Sequence, residues 1–246
     1  YSNRMKNIII IIFISLNCIN SYGQNELKKF EPSSQYSPDL SIETKNEIDR
    51  QTELLVKDSL TEKEMTELDI LVHKYGEVVE SVWDVVDGGC SWYCGGGNYK
   101  VSASSELKTQ KKNKYNAKSA NDLSYETAWV EGKEDSGIGE FIEYSFQSKS
   151  PRITSIIISN GYMKSDSAWE NNNRVKSLKL YVNGKVFGIL KLTDTKTNQT
   201  FKLGTFGHNE DGRDMTLKFE ILEIYKGKKY NDTAITEIHF DGIDVH

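Results

Sequence analysis

Asp122 and Thr127 stand five residues apart in the run NDLSYETAW, which closes on Trp129 just ahead of a strand-like stretch. A carboxylate, a hydroxyl and the carbonyls of a tight turn are the donors that a hard cation such as calcium collects, about six to eight oxygens at a time. The set needs a further carboxylate from elsewhere. Glu237, in TAITEIHF near the end of the chain, is the candidate. The same residues have a plainer use, because Asp and Thr in loops commonly tie turns by hydrogen bonds. From the residues alone both readings stand.

Catalysis would need a nucleophile, an acid–base pair or a metal-bound water with its groups close together. His73, His208, His239 and His246 are scattered. There is no Gly-x-Ser-x-Gly elbow, HExxH or phosphate-binding loop. Gly137-Ile138-Gly139-Glu140 has the glycine spacing of part of a dinucleotide loop but precedes a strand pattern instead of opening a helix. Glu131 and Glu134 are acids in a loop with no partner machinery in view. No catalytic residue and no enzymatic role is expected.

Cys90 and Cys94 flank a three-residue insert between glycines in GGCSWYCGGG. Two cysteines without a nearby histidine fall short of a zinc site. In an exported chain they would close a small disulfide loop; otherwise they are two thiols in a turn. Export is suggested by Met5-Lys6-Asn7, the apolar run Ile8 to Leu16, and the small residues Ser21 and Gly23 before a cleavage point at Gln24. Leu16-Asn17-Cys18 loosely resembles a lipobox, so a lipoprotein form through Cys18 is the alternative. No later apolar run approaches the ~18 residues of a membrane span.

These residues need a frame. The 246 residues are 37% hydrophobic and 27% charged, as expected of one globular domain with additional segments. A net charge of −5 argues against a general nucleic-acid binder. Residues 1–23 are the signal region and 24–40, polar with Pro32 and Pro38, a flexible linker. Residues 41–80 form a helical segment. Ile42, Ile48, Leu54 and Leu55 suit one apolar stripe, and Met65, Leu68, Leu71, Val72 and Tyr75 a second. Thr61 and Glu64 make a capping box, and Gly76 a stop. Between Glu43 and Glu80 lie 11 Asp/Glu against 5 Lys/Arg. This is an acidic arm for a partner or a solvated outer face.

From residue 82 the pattern is β. FIEYSF, ITSIIIS, SLKLYV, KVFGILKL, TFKL, MTLKFEILEIY and AITEIHF are short strand-like runs, and Asn183-Gly184 between two of them signals a type I′ hairpin. About eight strands with no convincing helix between them predict an antiparallel sandwich or jelly roll over 82–246.

The ordered motifs CSWYCGGG, VSASSELK, DLSYETAWVEG, GIGEFIEYSF, NGYMKSDSAWENNNRVKSLKLYVN and FEILEIYKGKKYNDTAITEIHFDG resemble the discoidin-like domain that precedes the catalytic domain of streptococcal NAD glycohydrolases. That NADase translocation domain is a branch of the galactose-binding, coagulation-factor type C group. The resemblance covers about Trp83 to His246. It implies an eight-stranded jelly-roll sandwich, with glycan or surface binding at the loop ends. The NAD-hydrolysing domain lies outside the resemblance. The group often carries a structural calcium on an Asp-Gly-Asp-x-x-Thr-x-Trp loop and a last-strand glutamate. Asp122, Thr127, Trp129 and Glu237 match; Leu123 stands in place of the glycine and Ser124 in place of the second aspartate.

A sugar needs an aromatic face with convergent polar groups. Trp92 and Tyr93 in the cysteine loop are candidates, with Tyr162, Trp169, Asn171, Asn173 and Arg174 in the long connection before SLKLYV. Trp169 is the preferred platform because SDSAWENNN is polar, whereas Trp129 is expected in the core. The leading expectation is an exported, non-catalytic module that binds a glycan or cell-surface component. The alternative is a subunit that docks a secreted protein partner through the acidic helices.

Overall fold

The computed structural model describes residues 26–77, 81–86, 91–96, 98–207 and 211–243. The export signal and the Cys90–Cys94 pairing fall on or depend on residues outside that set.

The N-terminal part begins with β1 (Lys29–Phe30) and β2 (Ser34–Tyr36). Two helices follow, α1 (Ile42–Leu55) and α2 (Glu62–Tyr75). α1 is capped by the Ser41 side chain, which accepts the Thr44 N–H at 3.1 Å. α2 opens on the expected box, in which Thr61 Oγ1 accepts the Glu64 N–H and Glu64 Oε2 accepts the Thr61 N–H. It stops at Gly76, whose φ of 87° is open to glycine and costly to other residues. Arg50 reaches from α1 to Glu67 on α2 through two 3.0 Å hydrogen bonds.

The rest is mainly β. In chain order come the short helix α3 (Tyr93–Gly96), β3 (Tyr99–Ala103), β4 (Leu107–Gln110), β5 (Asn113–Tyr115), a 3₁₀ turn (Ala117–Ala120), β6 (Trp129–Val130), β7 (Phe141–Phe146) and β8 (Arg152–Asn160). Then follow α4 (Asp166–Asn171), β9 (Asn173–Val182), β10 (Lys185–Lys191), β11 (Asn198–Phe201), β12 (Met215–Tyr225) and β13 (Thr233–Ile243). The sheet path runs β2-β11-β8-β13-β9-β12-β7-β3, with β6 on β13, β10 on β9 and β1 on β10. β13 and β9 touch only at their first residues, in parallel. Beyond that point the path folds over into a sandwich: Phe240 of β13 packs 5.1 Å from the rings of Tyr144 and Phe146 on β7, a strand it does not hydrogen-bond.

Alternation explains the layers. Ile142, Tyr144 and Phe146 on β7, and Met215, Leu217, Phe219 and Ile221 on β12, point inward every second residue. They meet Ile156, Ile158, Ile238 and Phe240 from the other layer. Full burial of each such side chain contributes roughly 1.5–3 kcal/mol. Asn183 (φ 49°) and Gly184 (φ 74°) turn β9 into β10 as the type I′ signal requires.

Three features depart from the sequence expectation. The segment read as a linker adds two strands, β1 parallel to β10 and β2 antiparallel to β11, which cover sheet edges. These strands are too short and polar to show a periodicity of two. A helix, α4, stands inside the β region, and a small β4–β5 sheet lies apart from the sandwich. Among the described residues no helix is long and apolar enough to cross a membrane.

Candidate functional site

One end of the sandwich carries a cleft of about 320 Å³ built by four elements. β4 and β5 give Gln110 and Tyr115; the β8–α4 connection gives Tyr162 and Ser165; α4 gives Ser167 and Asn171; the loop before β13 gives Tyr230 and Asp232. Tyr115 and Tyr162 meet edge to face, centroids 6.4 Å apart and 88° between planes. Burial pushes the Tyr162 hydroxyl up to about 12, so it is neutral at physiological pH. Burial also raises the Asp232 carboxyl above its ordinary range. Tyr230 lines the cleft and is 44% exposed.

The floor is positioned by a stacked pair beneath the cleft. The Arg174 guanidinium lies 4.5 Å over the Trp169 ring and grips Asp194 with a two-pronged contact at 2.9 and 2.8 Å. Its Nη1 also donates to the carbonyls of Asn172 and Lys226. Trp169 Nε1 donates to the Asn160 carbonyl at 3.0 Å. A side chain at Gly161 (φ 77°) would strike both, within 2.6 Å of Arg174 and 2.8 Å of Trp169. The buried Asn173 amide donates to the Asn231 carbonyl and accepts the Gly227 N–H at 2.8 Å. The Asn171 carbonyl accepts from Lys229 and Tyr230, at 3.2 and 2.8 Å. Thus α4 and the Lys226–Tyr230 loop are joined by backbone hydrogen bonds.

The structure therefore sorts the expected ligand residues. Tyr162 and Asn171 line the cleft. Trp169, Asn173 and Arg174 hold it from below, and the expected platform at Trp169 has a ring face covered by Arg174. Trp92 is a correction: it is 2% exposed and packs in the core against Tyr93, Phe146 and Phe240. Tyr93 packs beside it, its hydroxyl accepting the Phe240 N–H at 2.9 Å. The sequence reading places both at a ligand as the aromatics of the cysteine loop, but the large apolar ring of Trp92 is removed from water and anchors that loop in the core. Sequence reading missed Tyr115, Tyr230, Ser165 and Ser167. Tyr230, in the polar KGKKYND, is the one whose context signals exposure.

The turn at Asp122 is a second feature. Thr127 Oγ1 sits 2.8 and 2.7 Å from the two Asp122 carboxylate oxygens and 3.1 Å from the Ser119 carbonyl. The Leu123 N–H donates to Glu237 Oε2 at 3.1 Å, joining the turn to β13. Leu123 adopts φ 57°, the left-handed conformation that glycine would take at lower cost. Glu237 is fully buried, and its Oε1 has no hydrogen-bond partner among the described residues. Burial raises the Glu237 carboxyl well above the usual range, with the nearby Asp122 charge adding to it. Burial likewise raises Asp122. An orphaned buried oxygen with a second carboxyl nearby fits a hard cation. Asp122, Thr127 and Glu237 would hold it. Among the described residues no group of three or more His, Cys, Asp or Glu could bind a metal by itself, so backbone oxygens would complete the shell.

Residues 92–241 match the family model of the NAD glycohydrolase translocation F5/8 type C domain. The chain belongs to this family. The F5/8 type C domain spans the sandwich from Trp92 to Asp241, including the cleft and the Asp122 turn. No curated protein matches the chain. Solved structures similar to it include CpGH89CBM32-5 from Clostridium perfringens, in complex with GalNAc-beta-1,3-galactose, at 18% identity and a TM-score of 0.41, over 61% of this chain and 99% of that one. CBM32-3 from a family 31 glycoside hydrolase of Clostridium perfringens is similar at 14% identity and TM-score 0.40, over 61% and 94%. The arabinofuranosyltransferase AftD from Mycobacteria is similar at 15% identity and TM-score 0.41, over 60% and 11%.

Proposed function

We propose that this chain is an exported, non-catalytic module that recognises a glycan through the cleft at the loop end of its F5/8 type C domain. The carrying observation is Tyr230, exposed beside Asn171, Ser165 and Ser167 on a wall closed by Tyr115 and Tyr162. A pyranose ring stacks on an aromatic face while its hydroxyls exchange hydrogen bonds with amides and hydroxyls. The cleft is shallow and offers both. The basic start and apolar run before Gln24 support export.

A glycan array probed with the chain tests this. Binding is expected, with about a tenfold loss in Tyr230→Ala if the ring supplies a typical aromatic contact. A blank array, or unchanged binding in that variant and in Asn171→Ala, sinks the reading. We further propose that a hard divalent cation, calcium by ligand chemistry, joins Asp122 and Glu237 and fixes the turn against β13. A second reading has support in Met65 and Ile70, 51% and 61% exposed on α2. A blank array with partner capture lost in Ile70→Asp would make the helical hairpin the functional surface.

A further inference from the structure

We propose that the glycan is acidic, carrying carboxylate or sulfate groups that the β4–β5 hairpin reads. This rests on the glycan reading of the cleft and narrows its ligand class.

The chain is acidic overall, yet Lys108, Lys111, Lys112, Lys114 and Lys118 fall between Glu106 and Asp122 with no acid among them. All five are exposed. None of the five makes an ion pair with a described residue, unlike Lys133, Lys164 and Lys228. Four of them sit on the β4–β5 hairpin and Lys118 in the 3₁₀ turn after it; these like charges repel each other, and a bound anion relieves that repulsion.

The hairpin borders the proposed sugar site. Lys112, Asn113 and Lys114 line a second hollow of about 280 Å³, together with Tyr162 and Lys164. Tyr162 also lines the first cleft, so one extended ligand can lie across both. The acids of the second hollow are engaged: Glu126 holds Lys164 at 3.1 Å, and Asp122 holds Thr127. Lys112 and Lys114 are left uncompensated. Lys229 lies 5.1 Å over the ring of Tyr230, which lines the first cleft, so a further cationic side chain stands beside that site.

The turn chemistry agrees. Gln110 pairs with Asn113, leaving Lys111 and Lys112 as a two-residue tip, and Lys111 has φ 55°. Gly or Asn would occupy that conformation at lower cost. The fold tolerates the cost and places a cation at the tip.

A sugar is favoured over a membrane or a nucleic acid. Among the exposed large hydrophobics of the described residues only Tyr230 lines this cleft, so no apolar spike among them surrounds it as a bilayer contact would need. A polynucleotide needs a long basic track, whereas Lys112 and Lys114 line a small hollow that shares Tyr162 with the sugar cleft.

The test uses the full chain with chondroitin sulfate oligosaccharides, their desulfated parents, which keep the uronate carboxylates, and a neutral lactosamine oligosaccharide. Titrations are run at about 50 and about 300 mM NaCl. The expected result is preference for an acidic oligosaccharide, weakened by salt. Lys112→Ala/Lys114→Ala should lower that affinity about tenfold and leave neutral-sugar binding unchanged. Loss of binding on desulfation assigns the contact to sulfate; retention assigns it to carboxylate, and either supports the proposal. Neutral and acidic sugars bound equally, or no effect of the double variant, overturns the acidic ligand while sparing the glycan reading. No sugar bound at all overturns both. Lysine-dependent binding to phosphatidylserine vesicles or an oligonucleotide, with no oligosaccharide bound, also overturns it.

Discussion

Glu237 is a buried carboxyl with one oxygen tied to the Leu123 amide and the other without a hydrogen-bond partner among the described residues. Burial raises it above its ordinary 4.5, and raises Asp122 above 3.8, so the folded state holds protons that the unfolded chain releases. The sign follows: without a cation, stability falls as pH rises above those ordinary values, because ionising the buried pair opposes folding. A bound cation removes that loss by supplying the opposite charge. We expect the melting temperature in chelator to decline from about pH 5 to about pH 8, and calcium in excess to flatten the decline. Glu237→Gln should cut the slope to the share left by Asp122 and remove the calcium response. A melting temperature indifferent to calcium and to chelator, in the parent and in Asp122→Ala alike, would leave the turn as a hydrogen-bonded structure only.

The helical hairpin is held by its own contacts: the capping box, the Arg50–Glu67 pair and a buried seam through Ile48, Leu54 and Leu71. Thr61→Ala removes the acceptor for the Glu64 amide. It should cost about 1 kcal/mol locally. Hydrogen exchange should show faster amides in the first turn of α2 and unchanged protection in β12, since the two share no hydrogen-bond ladder. Equal loosening of the sandwich would instead mean that the hairpin and the β domain unfold together. The cleft behaves differently. Its walls come from β4–β5, α4 and the loop before β13, and the last two are tied directly, the Glu170 carbonyl accepting from Lys228 and the Asn171 carbonyl from Lys229 and Tyr230.

A sandwich of this kind must protect its outer strands, because an open edge offers unpaired amides to another chain. Here β1 lies along β10 and β2 along β11. The first pairing depends on Gly188, where an added Cβ would fall 2.6 Å from the Phe30 ring and 2.7 Å from the Lys28 carbonyl. The carbonyl belongs to the backbone and cannot rotate away. Gly188→Val should therefore dislodge β1, giving faster tryptic cleavage at Lys28 and Lys29 and more self-association in light scattering. A monodisperse variant with unchanged cleavage would show that the β1 pairing contributes nothing to edge protection. Charge is also divided at this scale. The helical hairpin is acidic and the β4–β5 hairpin basic, so the overall charge of −5 describes neither surface.

Sequence by itself determined the parts governed by local rules. The capping box at Thr61, the stop at Gly76, the Asn183-Gly184 turn and the alternation of β7 and β12 are each set by neighbours within a few residues. The β class follows from the succession of strand-like runs, and the family from the resemblance of the ordered motifs from CSWYCGGG to TEIHFDG. The Asp122, Thr127 and Trp129 spacing likewise survives as one turn, with Trp129 fully buried. Only the tertiary structure decided which aromatics face a ligand. Trp92 and Trp169 look alike as tryptophans in polar runs, but one fills the core and the other lies under Arg174, a partner five residues on whose grip on Asp194 no local pattern shows. Tyr115 and Tyr230, more than a hundred residues apart in sequence, become walls of one cleft because loops from separate strands end at the same face. Long-range closure is a property of the packed layers, and no periodicity of two or 3.6 residues records it.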